Sequence, residues 1–169
     1  NHFSQRATDQ QTLLEPLKAL VRREPVYCTA EATVREALER MSEEGVRMIA
    51  VVDSLRRPLG IFTLLDLMDR VVLPGVSLTT NVQQVMTTRP AMLDELSSAQ
   101  EGLALMASRG FHQLLVVRDG ELAGIVTERD LFGLQRVTMR SITQAVRQAR
   151  DVAALQRIVA DIAALTDNL

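Results

Sequence analysis

The sequence contains a single cysteine, Cys28, no tryptophan, one tyrosine and four phenylalanines in 169 residues. One cysteine cannot form an intrachain disulfide, which excludes a disulfide-stapled secreted scaffold and favours a reducing compartment. So few aromatic side chains argue against a stacking platform for single-stranded nucleic acid. The formal net charge of −2 argues against a nucleic-acid binder that works through bulk positive charge.

Patterns typical of several other protein classes are also missing. No apolar run reaches the roughly 18 residues of a membrane span, and no signal-peptide pattern opens the chain. His2, His112 and Cys28 show no zinc-ligand spacing, and no nucleophile motif or phosphate-binding glycine loop is present. We therefore expect a cytoplasmic protein without metal, cofactor or membrane contact. The first residue is Asn1, so we interpret the chain as a piece of a longer protein.

An internal repeat is the strongest signal in the sequence. Residues 18–53 align with residues 83–118 at a constant offset of 65. Dropping one turn residue from the second copy continues the alignment to Leu67 and Leu131. Identical pairs include Pro25/Pro90, Glu36/Glu101, Gly45/Gly110, Gly60/Gly124, Thr63/Thr127 and Asp66/Asp130. Two copies of about 55 residues predict two like units packed together.

Each copy predicts the order β-α-β-β-α. Thr33 to Glu36 and Ser98 to Glu101 have the spacing of capping boxes at a helix start, and Gly45 and Gly110 stand where a left-handed C-cap is favoured. Dense apolar, β-branched runs then predict buried strands, and Asp-Gly at 119–120 predicts a tight hairpin turn. The predicted segments are strands at Met48 to Val52, Leu59 to Thr63, Leu114 to Val117 and Leu122 to Thr127, and second helices at Leu64 to Val72 and Glu128 to Arg136.

These elements predict an α+β fold of two β-α-β-β-α repeats packed about a pseudo-twofold axis, with a helical C-terminal extension. The boundaries are a lead-in at 1–16, repeats at 17–73 and 82–136 joined by a linker at 74–81, and the extension at 137–169. The extension has helical apolar spacing from Ile142 to Leu165. An isolated helix of this length is marginally stable in water, so we expect it to pack on a neighbour, favouring a second chain.

The repeat ends carry the motif Gly-Ile-x-Thr-x-x-Asp, at Gly60 to Asp66 and again at Gly124 to Asp130. Two such motifs in matching β-α-β-β-α contexts resemble a pair of cystathionine-beta-synthase (CBS) domains, also called a Bateman module. The resemblance covers about residues 17–136. It implies two related clefts that bind adenosine nucleotides (AMP, ADP or ATP) or S-adenosylmethionine.

The resemblance also implies roles for individual residues. Asp66 and Asp130 become ribose ligands, and Thr63 and Thr127 lie on the phosphate side. Adenine would lie near the segments that contain Thr29 and Met92. The chemistry fits independently, since a carboxylate can accept hydrogen bonds from both ribose hydroxyls.

A structural interpretation stands beside each of these assignments. Thr63 with Asp66, and Thr127 with Asp130, also have the spacing of a helix-capping box. In the second motif, Arg129 is suited to a phosphate, whereas the first motif has two leucines at the corresponding places, so we expect Asp130 to mark the better-equipped side. Arg47 and His112 align with each other, and each is either a phosphate ligand or a structural residue: a solvated arginine, or a histidine packed at a strand edge.

The sequence leads to three hypotheses about function. The resemblance favours a regulatory module that senses a ligand and controls an attached domain; the C-terminal segment is similar to bacterial proteins with a downstream nucleotidyltransferase domain. The alternative is a structural dimerisation module with vestigial clefts. An enzyme is disfavoured because no nucleophile or base constellation is present. We expect a homodimer formed through helix faces that bear Met41, Met68, Met106 and Phe132, some of which must belong to the intramolecular core.

Overall fold

The computed structural model describes residues 13–131 and 160–162. Residues 14–128 form one compact unit, and residues 13, 129–131 and 160–162 belong to a second. The first repeat contains a 3₁₀ turn (Leu17–Ala19), β1 (Tyr27–Thr29), α1 (Val34–Glu44), β2 (Met48–Val52), β3 (Pro58–Thr63) and α2 (Leu64–Asp66), which continues as a π-helix over Leu67–Val72. The second contains a 3₁₀ turn (Val82–Gln84), β4 (Thr87–Thr88), β5 (Met92–Asp94), α3 (Ala99–Arg109), β6 (Gln113–Arg118) and β7 (Glu121–Thr127), followed by helical residues 128–131.

The expected α+β class and the repeated order of elements are confirmed. The first sheet has the order β1-β2-β3-β4 and the second the order β5-β6-β7. In each repeat the first strand pairs in parallel with the second, and the second pairs antiparallel with the third. The parallel pair is joined through the repeat's helix, as a parallel crossover requires.

Local sequence signals account for most element ends. Gly45 and Gly110 both adopt φ 66° as helix C-caps, and Asp119 and Gly120 have positive φ in the hairpin turn. Ser98 forms the full capping box with Glu101. The expected box at Thr33 is only half formed. The Thr33 hydroxyl accepts the Glu36 backbone N–H at 3.1 Å, and the charge of Glu36 contributes to the raised pKa of Cys28.

Strand β2 lies at the centre of the first repeat, and all five of its residues are buried. Alternate residues face opposite ways along a strand. Ile49 and Val51 therefore pack in the core that contains residues of α1. Met48, Ala50 and Val52 pack with Leu115 and Leu122 of the second repeat. The two repeats thus share a core between their sheets.

The expected self-association faces need a correction. Met41 and Met106 are 2% and 3% exposed, because each lies on the face of its helix that covers its own sheet. Neither is available to a second chain. Met68 is 48% exposed, and Phe132 lies outside the described residues, as does most of the 137–169 extension, of which residues 160–162 are helical.

Each repeat is completed by the segment that leads into the other. Pro16 forms an antiparallel bridge with Ser98, and Asn81 forms the corresponding bridge with Thr33. Both members of one pair lie 65 residues from their counterparts in the other. This reciprocity is what a pseudo-twofold axis produces. Strand β4, which precedes the second repeat, pairs with β3 and so completes the first sheet.

Candidate functional site

The first motif forms the junction between β3 and α2. The Thr63 hydroxyl accepts the Asp66 backbone N–H at 3.2 Å, and the Asp66 carboxylate accepts the Thr63 backbone N–H at 3.0 Å. The Thr63 hydroxyl also donates to Asp66 Oδ2 at 3.1 Å. This reciprocal cap satisfies backbone groups that a helix start would otherwise leave unpaired.

The second oxygen of Asp66 is also engaged by the protein. The Thr87 hydroxyl donates to Asp66 Oδ1 at 2.8 Å, and Arg70 Nε lies 3.6 Å from the same oxygen. Arg70 additionally donates from Nη1 to the Met86 carbonyl oxygen at 2.6 Å. Asp66 is consequently buried, with 6% of its surface exposed. The residue expected as a ribose ligand is thus held by protein groups on both oxygens.

Arg47 lies beside the first motif, as its position in the alignment suggests. Met48 pairs with Thr63 across the sheet, and the Leu64 backbone N–H donates to the Arg47 carbonyl oxygen at 3.3 Å. Arg47 is exposed. The structure therefore brings Arg47, Thr63 and Asp66 to the same end of the first sheet.

The second repeat reproduces this backbone arrangement with different side chains. Gln113 pairs with Thr127, and the Glu128 backbone N–H donates to the His112 carbonyl oxygen at 2.9 Å. The side chain of His112 is 80% exposed, and its Nδ1 lies 2.9 Å from Glu128 Oε2. His112 is therefore not packed at a strand edge. Its hydrogen-bond partner Glu128 was missed, although it stands next to Thr127 in the sequence.

Arg129 and Asp130 lie in the helical residues that follow β7. Arg129 is exposed and Asp130 is half-buried. The motif spacing keeps Asp130 three residues after Thr127, as Asp66 follows Thr63. The two copies therefore share a strand-to-helix junction.

Thr29 and Met92 occupy different places in their sheets. Thr29 pairs with Val52, at the end of β2 opposite to the Met48–Thr63 pair. Met92 pairs with Leu115, two residues along β6 from the Gln113–Thr127 pair. The structure thus brings Met92 towards the second motif and places Thr29 away from the first.

Three further features bear on the site chemistry. The Arg56 guanidinium lies 4.8 Å from the centroid of the Tyr27 ring, a cation–π contact that the sequence analysis missed. Burial raises the pKa of Cys28 to about 11, and Glu36 adds to the shift. Within residues 13–131 and 160–162, no group of His, Cys, Asp and Glu side chains could hold a metal ion.

No helix within the described ranges has both the length and the apolar character needed to cross a bilayer.

Comparison with known proteins identifies both repeats. Residues 17–73 and 82–136 each match the family described as CBS domain. The chain is 33% identical over 122 residues to an uncharacterised protein of Thermofilum pendens, covering 72% of this chain and 39% of that protein. It is 30% identical over 123 residues to the arabinose 5-phosphate isomerase GutQ of Shigella flexneri, covering 71% and 38%. The chain thus spans about two-fifths of the length of these relatives.

Solved structures agree with this assignment at the level of the fold. A CBS domain protein from Pyrobaculum aerophilum in complex with AMP has a TM-score of 0.67 at 20% identity, covering 78% of this chain and 100% of that one. The CBS domain pair of protein MJ0100, in complex with 5′-methylthioadenosine and S-adenosylmethionine, has a TM-score of 0.64 at 19% identity, covering 72% and 99%. At these identities the likeness establishes the fold alone.

Proposed function

Because the chain belongs to the CBS domain family, we propose that it is a cytoplasmic regulatory module that binds an adenosine nucleotide or S-adenosylmethionine and controls an attached domain. Two structures of the same fold support the ligand class, since one carries AMP and the other S-adenosylmethionine. Relatives more than twice as long as the matched region support the attached domain. The module itself is proposed to bind rather than to catalyse.

The observation that carries this proposal is the second motif. Thr127, Arg129 and Asp130 supply a hydroxyl, a cation and a carboxylate within four residues. A carboxylate suits the two ribose hydroxyls, and an exposed arginine suits a phosphate. His112 and Met92 lie at the same end of the second sheet as Thr127, and they are the next candidates for phosphate and adenine. Glu128 holds His112 in the free protein, so a phosphate would compete with it.

The proposed mechanism is a population shift. A ligand that binds one arrangement of the two repeats better than another stabilises that arrangement, and the attached domain responds to it. The reciprocal bridges of Pro16 with Ser98 and Asn81 with Thr33 provide the mechanical link. Each repeat is hydrogen-bonded to the segment that leads into its neighbour, so a movement of one repeat displaces the start of the other.

Thermal unfolding with a nucleotide panel tests the proposal. AMP, ADP, ATP and S-adenosylmethionine are each added up to millimolar concentration, with GMP as the matched control for the base. A ligand at about 100 times its Kd adds roughly 2.7 kcal/mol to stability, which raises Tm by about 5–10 °C for a chain of this size. A Tm that none of the four adenosine compounds moves would refute the proposal for these ligands.

The structural dimerisation module stays as the second candidate because of one observation. Leu64, Leu65, Met68, Val72 and Leu73 are between 47% and 74% exposed, and all lie on or next to α2 and its π-helical continuation. We call this set the α2 apolar face. A closed twofold dimer would cover it, and such dimers are the commonest oligomers.

Light scattering at tens of micromolar separates the oligomeric states. We expect the mass of a dimer, and a monomer mass for Leu65→Glu with Met68→Lys. Ser42→Glu, at an exposed position of α1, is the matched control and leaves the dimer intact. A monomeric wild-type chain would exclude the homodimer, and a dimer insensitive to the α2 changes would place the interface elsewhere.

A further inference from the structure

The carboxylate of Asp66 is engaged by protein groups on both of its oxygens. A carboxylate offers about four acceptor positions on two oxygens. Oδ2 accepts from the Thr63 backbone N–H and from the Thr63 hydroxyl. Oδ1 accepts from the Thr87 hydroxyl and lies 3.6 Å from the Arg70 guanidinium. These partners explain how a charged side chain is buried at 6% exposure, which would be costly without them.

We propose that Thr87 and Arg70 close the first motif, so that Asp66 anchors the segment leading into the second repeat and takes no ribose. This inference rests on the proposed nucleotide binding and deepens it, because it predicts one nucleotide per chain. A ribose that used Asp66 would have to displace the Thr87 hydroxyl. The displaced hydroxyl and guanidinium would lose a charge-assisted hydrogen bond and an ion pair within a half-buried site, and such losses are expensive.

The closing residues are held in place from two sides. Thr87 belongs to β4, which pairs with β3 at Gly60 and Ile61. The approach is so close that a Cβ built on Gly60 would lie 2.5 Å from the Thr87 carbonyl oxygen. On the other side, Arg70 binds the Met86 carbonyl oxygen at 2.6 Å. The strand that covers Asp66 is therefore fixed by its backbone as well as by its hydroxyl.

The second repeat lacks the residues that make this closure. By the offset of 65, the position of Thr87 corresponds to Arg22, which has no hydroxyl to offer. By the offset of 64 that applies after the hairpin, the position of Arg70 corresponds to Leu134. The same network cannot form around Asp130 from these two positions. The particular network of Thr87 and Arg70 is thus specific to the first repeat.

Calorimetric titration with AMP tests the occupancy. We expect one AMP per wild-type chain. Asp130→Asn should raise the Kd for AMP at least tenfold, which corresponds to losing one charged hydrogen bond, while Asp66→Asn should change it less than about twofold. A stoichiometry of two, or a tenfold loss of affinity in Asp66→Asn, would overturn the proposal.

A second measurement decides the closure even if the chain binds no AMP. Asp66→Asn and Thr87→Val should each lower Tm by about 3–12 °C, the range expected when a hydrogen bond to a charged group is lost or loses its charge. The double variant should unfold close to the less stable single variant, since both changes weaken the same bond between Thr87 and Asp66. Thr88→Val, on the neighbouring exposed residue of β4, is the matched control and should leave Tm unchanged. Additive losses would show that Asp66 and Thr87 do not interact, and the closure would fall independently of nucleotide binding.

Discussion

The two copies of the motif have the same backbone and different surroundings. At Thr63 the chain continues into two exposed leucines, whereas at Thr127 it continues into Glu128 and Arg129. Arg47 contacts the first motif through its backbone carbonyl. His112 contacts the second motif through its backbone carbonyl and also through its side chain, which hydrogen-bonds to Glu128. The two copies thus share the junction but differ in the side chains that follow it: exposed leucines follow Thr63, and charged residues follow Thr127.

The close strand approach at the two motif glycines offers the largest expected effect. A Cβ on Gly60 would meet the Thr87 carbonyl oxygen at 2.5 Å, and a Cβ on Gly124 would meet the Val21 methyl groups at 2.5 Å. A backbone oxygen moves only with its strand, whereas a side chain can change rotamer. We expect Gly60→Ala to cost about 3 kcal/mol of unfolding free energy and Gly124→Ala about 1 kcal/mol.

Denaturant unfolding of the two glycine variants measures this difference in unfolding free energy. A second substitution in each variant then tests which neighbouring atom causes the clash. Val21→Ala should relieve most of the clash in Gly124→Ala, because it removes both methyl groups and leaves only the Cβ at 3.1 Å, so the double variant should be nearly as stable as Val21→Ala alone. Met86→Ala should not rescue Gly60→Ala, because the Thr87 oxygen remains. Equal costs at both glycines would mean that the two strand approaches are equivalent, contrary to the comparison.

The only cysteine reports on the first repeat alone, since Leu93 stands at the corresponding position of the second. Burial, aided by Glu36, raises the pKa of Cys28 from about 9 to about 11. At pH 8 the thiolate fraction in the folded chain is then about 100-fold lower than in the unfolded chain. We expect alkylation by iodoacetamide to be slower by about this factor in native buffer than in guanidinium.

The same shift predicts the direction of a pH effect on stability. The folded pKa lies above the unfolded value, so the folded state favours the neutral thiol. Its contribution is fully present below pH 9 and is lost as the pH rises through 11. Cys28→Ala should lack this loss, which a comparison of unfolding at pH 8 and pH 10.5 detects. Native and unfolded alkylation rates within threefold of each other would contradict the assigned pKa.

Sequence reasoning reached the fold because the signals are local and occur twice. The glycine caps, the Asp-Gly turn and the buried run of β2 each specify an element, and the repeat shows how the elements combine. The Thr63–Asp66 cap was among the interpretations for the same reason, since its two residues are three apart. The continuation of α2 as a π-helix was not predicted, because no residue pattern in Leu67–Val72 marks it.

The hydrogen bond between Thr87 and Asp66 could not be predicted from the sequence, because it depends on a tertiary contact. Thr87 lies 21 residues from Asp66, in a two-residue strand with no alternating pattern, and only the pairing of β4 with β3 brings it close. Arg70 was different. It stands four residues after Asp66, a spacing at which opposite charges meet on a helix. The ion pair between Arg70 and Asp66 could therefore have been predicted from the sequence.

The helix starts of the two repeats provide the smallest expected effect and the most direct check of the comparison. Ser98 and Glu101 form both bonds of the capping box, with Glu101 accepting the Ser98 backbone N–H at 3.0 Å, whereas only the Thr33 half is formed in the first repeat. Glu101→Ala should therefore cost about 0.5–1 kcal/mol, and Glu36→Ala should cost close to nothing. Glu101→Gln is the matched control, since an amide oxygen can accept the same bond. Denaturant unfolding measures these values, and alkylation of Cys28 supplies a second readout. Removing the Glu36 charge should lower the pKa of Cys28 and speed its alkylation, because that carboxylate helps to raise the pKa. Equal losses of stability for Glu36→Ala and Glu101→Ala, with no change in the thiol, would show that both boxes close in solution and that the two helix starts are alike.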